Sequence, residues 1–209
     1  MSWIRRDRVT WAERALWAAL VAAAIAPVAL QPDAEEVARA YVAAVDQGNV
    51  EAALALTAER FVLNPELDGR LLRKPEARGV LEWRAVLHER WRTVSWRYNP
   101  PQREVHTVVE ITNDAWELLD VRPLVEVVLV IRNGELIVEQ ARIESQELRR
   151  ALAPFLDWAA AERSEELDRV WRERGPRWDP VAAGGLLALV REWRAAGPGV
   201  AERPSREQG

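Results

Sequence analysis

The chain has 209 residues, a net charge of −4, and 49% hydrophobic against 30% charged residues, which suits a packed domain with appendages. It contains no cysteine, and this excludes disulfides, thiolate nucleophiles and cysteine–zinc sites. The mild acidity, with no basic stripe interleaved with aromatics, argues against a nucleic-acid partner.

The N-terminus stands apart. Arg5, Arg6, Arg8 and Arg14 outnumber Asp7 and Glu13, and residues 15–30 (ALWAALVAAAIAPVAL) then carry no charge. A basic head before such a run describes an export signal, and the run is short for a hydrocarbon core of about 30 Å. Residues 1–30 are therefore expected to be a signal peptide or membrane anchor, with the protein exported or membrane-tethered and membrane contact confined to that segment. The alternative is an Ala-rich helix packed on the rest of a cytoplasmic protein.

QPDAEEVARAYVAAVDQGN opens the folded part. Asp33 is placed to cap a helix, with Glu36 completing a capping box, and Val37, Tyr41, Ala44 and Val45 share one face. Gly48 ends this helix and Asn49 caps the next, in which Val50, Ala53, Leu54 and Thr57 repeat the spacing. GVLEWRAVLHERWRTV reads as a third helix with Val80, Trp83, Leu87 and Trp91 buried and His88 on its polar side. From Val94 the period becomes two, with Trp96 and Tyr98 on the same side, until Pro100-Pro101. REVHTVVEIT is a second strand, and TNDAWELLDVRPL is a short helix capped at Asn113 or Asp114. VEVVLVIRNGELIVEQARIE is a hairpin whose Asn133-Gly134 suits a type I′ turn. Helices return beyond Ser145, with Pro154 placed to kink or divide the first and Gly175-Pro176 separating the two stretches.

Three helices followed by about four strands give an α+β fold. The residues AYVAAVDQGNVEAALALTAERFVLNPELDG (40–69) and the strands ending VEVVLVIRNGELIVEQARIE (125–144) resemble the nuclear transport factor 2-like superfamily, which includes SnoaL-like cyclases and ketosteroid isomerases. The resemblance implies a cone-shaped, curved antiparallel sheet wrapped around three helices over residues 31–145. Residues 146–196 would then form a helical extension against the sheet or over the cavity, and residues 197–209 a disordered tail. It also implies that Tyr41 stands at the position of a hydrogen-bond-donating tyrosine. Glu126, aligned through Gly134, falls near a late-strand acid. Asn64, just before Pro65, stands where the family's proton-transferring aspartate sits if one gap is allowed, and Pro65 itself does without the gap. Neither accepts a proton, and general base catalysis typically contributes on the order of 10²–10⁴ in rate.

Glu104, His106 and Glu110 alternate on one strand face. Two readings stand: His106 and Glu110 form an acid–base pair in the cavity, or the set lies on a solvated face or dimer edge. Two histidines on different elements support no metal site, and no cofactor motif is present. Of the eleven tryptophans, Trp83, Trp91 and Trp96 are expected to pack the cone and its mouth, where Trp83 and Trp96 would meet a ligand. The leading expectation is a non-catalytic or weakly catalytic domain that binds a small apolar molecule through Tyr41, Asn64, Trp83, Trp96, His106 and Glu126, in a homodimer. The alternatives are an isomerase, cyclase or dehydratase using His106 or Glu126, and a structural dimerisation module.

Overall fold

The computed structural model describes residues 33–65, 71–143, 145–172 and 175–197, so expectations about residues 1–30 and about the tail beyond Gly197 lie outside the described residues. Among the described residues no helix is long and apolar enough to cross a membrane.

Helix α1 (Ala34–Asp46) begins at Asp33, whose carboxylate accepts from the Glu35 amide at 3.4 Å. Gly48 turns the chain at φ 65°, where a Cβ would be disfavoured, and Asn49 caps α2 (Val50–Ala55) by accepting from the Ala52 amide at 3.1 Å. Thr57 is not helical. It opens strand β1 (Thr57–Asn64), which pairs with the two-residue β2 (Leu72–Arg73). Helix α3 (Lys74–Val86) starts earlier than the apolar spacing predicts, with the Glu76 carboxylate accepting from the Arg73 amide at 3.1 Å. It also stops earlier, because His88 takes φ 53° and reverses the chain. Trp91 consequently belongs to strand β3 (Arg90–Asn99) and is buried from the sheet side.

Strand β4 (Glu104–Thr112) leads to α4 (Asp114–Leu118), capped by Asn113 accepting from the Trp116 amide at 2.8 Å. Strands β5 (Leu124–Arg132) and β6 (Glu135–Ile143) meet at Asn133 and Gly134, whose φ values of 53° and 78° are those of a type I′ turn. The sheet order is β2-β1-β6-β5-β4-β3. Every pair is antiparallel except β1–β6, which is parallel, so the sheet is mixed rather than wholly antiparallel. One extra residue interrupts β3 at Val94 and another interrupts β6 at Ile137, and such bulges bend a sheet and raise its twist.

Strand alternation gives the sheet two unlike faces. Val105, Thr107, Val109 and Ile111 of β4, and Val125, Val127, Leu129 and Ile131 of β5, are buried beneath the helices, with α1 lying along β3 to β6. The opposite face alternates with them and is half-buried or exposed.

The C-terminal part comprises α5 (Ser145–Glu162), α6 (Ser164–Val170), the short pair β7 (Trp171–Arg172) and β8 (Gly175–Pro176), and α7 (Pro180–Ala196). Helix α5 continues past Pro154 without being divided, and the break falls at Arg163. Helix α7 packs on α3 and α4 rather than on the sheet. Trp178 meets Trp83 edge-on at 4.9 Å, and Gly79 of α3 lies under the Trp178 carbonyl, where a Cβ would sit 2.6 Å from the oxygen.

Candidate functional site

The helix-covered face holds a polar cluster inside an apolar core. Tyr41 of α1 is 0% exposed and donates its hydroxyl to Oε2 of Glu139 on β6, itself 0% exposed. The other carboxylate oxygen of Glu139 accepts from Nη2 of Arg84 on α3 at 2.9 Å. Nε of Arg84 lies 3.3 Å from Oε1 of Glu89, which also accepts from the Trp91 indole at 2.8 Å. The Arg84 guanidinium stacks 5.0 Å from the centre of the Trp91 ring, and Asn113 donates to the second Glu89 oxygen at 3.5 Å.

Two carboxylates thus share one guanidinium, with a phenol, an indole and an amide as further donors. Burying a charge without such partners costs several kcal/mol, and this set answers the charge from five directions. Its members come from α1, α3, β6, the α3–β3 turn, β3 and the start of α4, so the cluster ties the helical layer to the sheet.

The described surroundings are closely packed, and a small hollow beside Arg84, about 10 Å³, is too small for a ligand. Phe61, Leu63, Leu129 and Leu136 are all fully buried, and the Phe61 ring centre lies 6.3 Å from that of Tyr41. An accessible area of 0% means that no water-sized space touches Tyr41 or Glu139, so the tyrosine hydroxyl is committed to the protein.

The remaining expected site residues are dispersed. Asn64 is in register with Gln140 on the outer face, and its neighbour Leu63, in register with Glu139, faces the core. Alternation makes these exclusive: one of Asn64 and Leu63 faces Tyr41, and it is Leu63. Trp83 is 2% exposed and sits against Trp178, so the core claims it rather than a cavity wall. Trp96 is half-buried at the edge of α1, donating to Glu35 at 3.0 Å and covered by the Arg39 guanidinium at 4.4 Å.

His106, Glu110 and Glu126 lie on the outer face. Nδ1 of His106 is 3.8 Å from Glu126 and Nε2 is 3.5 Å from Glu104, both beyond the roughly 2.6–3.2 Å reach of proton transfer. Glu110 is bound by Arg92 at 2.5 Å, and that hydrogen bond holds its carboxyl below the ordinary value near 4.5. No His106–Glu110 acid–base pair is assembled, and His106 with Glu126 forms no site in the interior. His88 is exposed and bonds Asp114 at 2.9 Å. Among the described residues no group of three or more histidine, aspartate or glutamate side chains is gathered to hold a metal.

Sequence reasoning missed Glu139, Arg84 and Glu89. The only available signal was an acid in the middle of an apolar strand. Strict alternation from Leu136 puts Glu139 outside, and the extra residue Ile137 turns it inward.

No family model matches this chain, and no curated protein matches it in sequence. Solved structures with a similar course of the chain include a SnoaL-like protein assigned as a polyketide cyclase from Shewanella putrefaciens, at 13% identity, 63% of this chain, 93% of that chain and a TM-score of 0.49. A nuclear transport factor 2-like protein of unknown function from Cytophaga hutchinsonii is similar over 58% of this chain and 98% of its own, at 12% identity and a TM-score of 0.47. A protein assigned as a ketosteroid isomerase from Kribbella flavida is similar over 54% of this chain and 78% of its own, at 16% identity and a TM-score of 0.44.

Proposed function

We propose that this chain is a non-catalytic association module that pairs with a second copy through the outer face of its sheet. The observation that carries the first half is the closed Tyr41–Glu139–Arg84 cluster. A donor that must serve a substrate has to be free at the moment of reaction, and the Tyr41 hydroxyl is spent on a buried carboxylate. The acid beside that hydroxyl is Glu139, itself closed from solvent, and the strand position in register with it carries Leu63.

The second half rests on the outer face of the sheet, which the described helices leave half-buried or exposed. Val62, Val108, Val128, Val130 and Val138 form a half-buried apolar stripe on the outer face, and Glu104, Glu126, Arg97 and Arg142 bring both signs of charge around it. Mixed charge suits a twofold pairing, in which each patch meets its own copy. Five long strands spaced about 4.8 Å apart, each some nine residues long at about 3.3 Å per residue, present roughly 700 Å². A standard interface takes about 800 Å² from each partner.

Sedimentation of wild type, Val128→Arg and Tyr41→Phe tests this. Wild type and Tyr41→Phe should sediment as dimers and Val128→Arg as a folded monomer. Tyr41→Phe should also lower stability by about 1.5–3 kcal/mol, since it removes a hydrogen bond to a charged group. A monomeric wild type, or a Val128→Arg dimer, would remove the association reading.

A further inference from the structure

Outside the sheet, the C-terminal helices enclose a half-open pocket of about 420 Å³ between α6, the segment after β8 and α7. That volume falls in the range of small-molecule sites, roughly 300–1,000 Å³. Its floor is apolar, formed by Val170, Ala182 and Leu189, all buried. At its edge Val181 stands 84% exposed, an apolar lip with nothing packed over it.

The charged groups around this floor are unequally engaged. Asp179 caps α7, accepting from the Ala182 amide at 2.8 Å, and Glu192 is held by Arg163, whose Nε lies 2.9 Å away. Arg169 leans outward to Glu165 at 3.5 Å. Arg177 differs: its Nε is buried and has no hydrogen-bond partner among the described residues. The backbone holds it in place, with its amide donating to the Val170 carbonyl at 2.9 Å and its carbonyl accepting from the Asp179 amide at 3.1 Å. Closed to water, Nε is beyond a ligand's reach, and the half-made contact is the outer edge of the guanidinium: Nη1 and Nη2 have no partner among the described residues and belong to a side chain that lines the pocket beside its apolar floor.

We propose that this pocket binds a small amphipathic carboxylate, its apolar body against Val170, Ala182 and Leu189 and its head group on Arg177. Guanidinium and carboxylate match in a two-pronged geometry that an ammonium or hydroxyl head group cannot reproduce. Glu166, on the rim, opposes the ligand's charge and limits affinity rather than creating it. The site shares no residue with the buried cluster or with the outer sheet face, so it stands or falls independently of association.

Titration calorimetry on the full chain with decanoate tests the assignment, with decanol and decyltrimethylammonium as head-group controls. One decanoate should bind per chain, and both controls at least tenfold more weakly. Arg177→Gln should weaken decanoate at least tenfold, while Glu166→Gln should tighten it. Ala188→Phe, at an exposed lining position, should fill the space and abolish binding even if Arg177→Gln folds poorly. The proposal is overturned if decanoate does not bind. Equal binding of decanol, or binding unchanged in both Arg177→Gln and Ala188→Phe, would overturn it too, because uptake would then be a non-specific surface effect.

Discussion

Replacing Arg84 by Met should be among the most damaging single changes in this protein. Arg84 is 2% exposed and serves two carboxylates, Glu139 at 2.9 Å and Glu89 at 3.3 Å. Methionine has a similar shape and fills much of the space, so little of the loss should come from a cavity. What remains is a carboxylate with 0% exposure deprived of its cation, and breaking a buried pair from one side costs about 3–5 kcal/mol. For a domain of this size, at about 2–4 °C per kcal/mol, the melting temperature should fall by roughly 6–20 °C. Glu139→Gln should cost less, about 1–3 kcal/mol, because the amide still accepts from Tyr41 and Arg84 keeps Glu89. In the double variant Arg84→Met/Glu139→Gln the unpaired charge is gone, so the combined loss should undershoot the sum by about 0.5–3 kcal/mol. Urea denaturation of the four proteins measures every term. If Arg84→Met costs less than about 1 kcal/mol, or the two single losses simply add, the cluster is not the tie between helices and sheet described here.

Two glycines should respond in opposite directions. Gly79→Ala would place a Cβ 2.6 Å from the Trp178 carbonyl oxygen and should cost about 1–3 kcal/mol, since backbone must move. Gly184→Ala meets nothing within 4 Å on α7 and should add roughly 0.5–1 kcal/mol of helix stability, and equal effects in urea titrations would refute the close seating of the Trp178 backbone on α3. Acid should destabilise the fold through its surface pairs. Glu110 and Glu51 are held below their ordinary value near 4.5 chiefly by hydrogen bonds from Arg92 and Arg78. A carboxyl depressed in the folded state contributes fully above its unfolded pKa and loses that contribution as pH falls through the folded one, so melting temperature should drop progressively below about pH 4.5. Calorimetry at stepped pH should show a shallower drop in Arg92→Gln and in about 1 M salt; an unchanged slope in both would mean that the pair contributes nothing.

Local chemistry made much of the fold legible. The α1–α2 hairpin was readable because Asp33, Gly48 and Asn49 act within a few residues of themselves. The Asn133-Gly134 turn and the Asn113 cap were readable for the same reason. The alternation of β4 separated Val105, Val109 and Ile111 from Glu104, His106 and Glu110, but alternation does not say which set meets the helices. Packing of α1 against the first set decided that.

The misreadings share one physical cause. The start of strand β1 is hidden in the sequence, where Thr57 continues the helical spacing, because its partner β6 lies far along the chain and pairs in parallel, a contact that leaves no local spacing. Trp91 reads as helical because its position continues the stripe of Val80, Trp83 and Leu87, and only the left-handed turn at His88 breaks that continuity. The bulges at Val94 and Ile137 each add one residue, and one residue exchanges the faces of everything after it. That exchange turns Trp96 toward α1 and Glu139 toward Tyr41. Composition and spacing by themselves determined an α+β domain with the α1–α2 hairpin, the Asn133-Gly134 turn and the Asn49 and Asn113 caps, because those are energies between near neighbours. Only the tertiary structure decided that Tyr41, Arg84 and Glu139 meet, since the three lie on separate elements and nothing short of the folded sheet, bulge included, brings their polar groups within reach of one another.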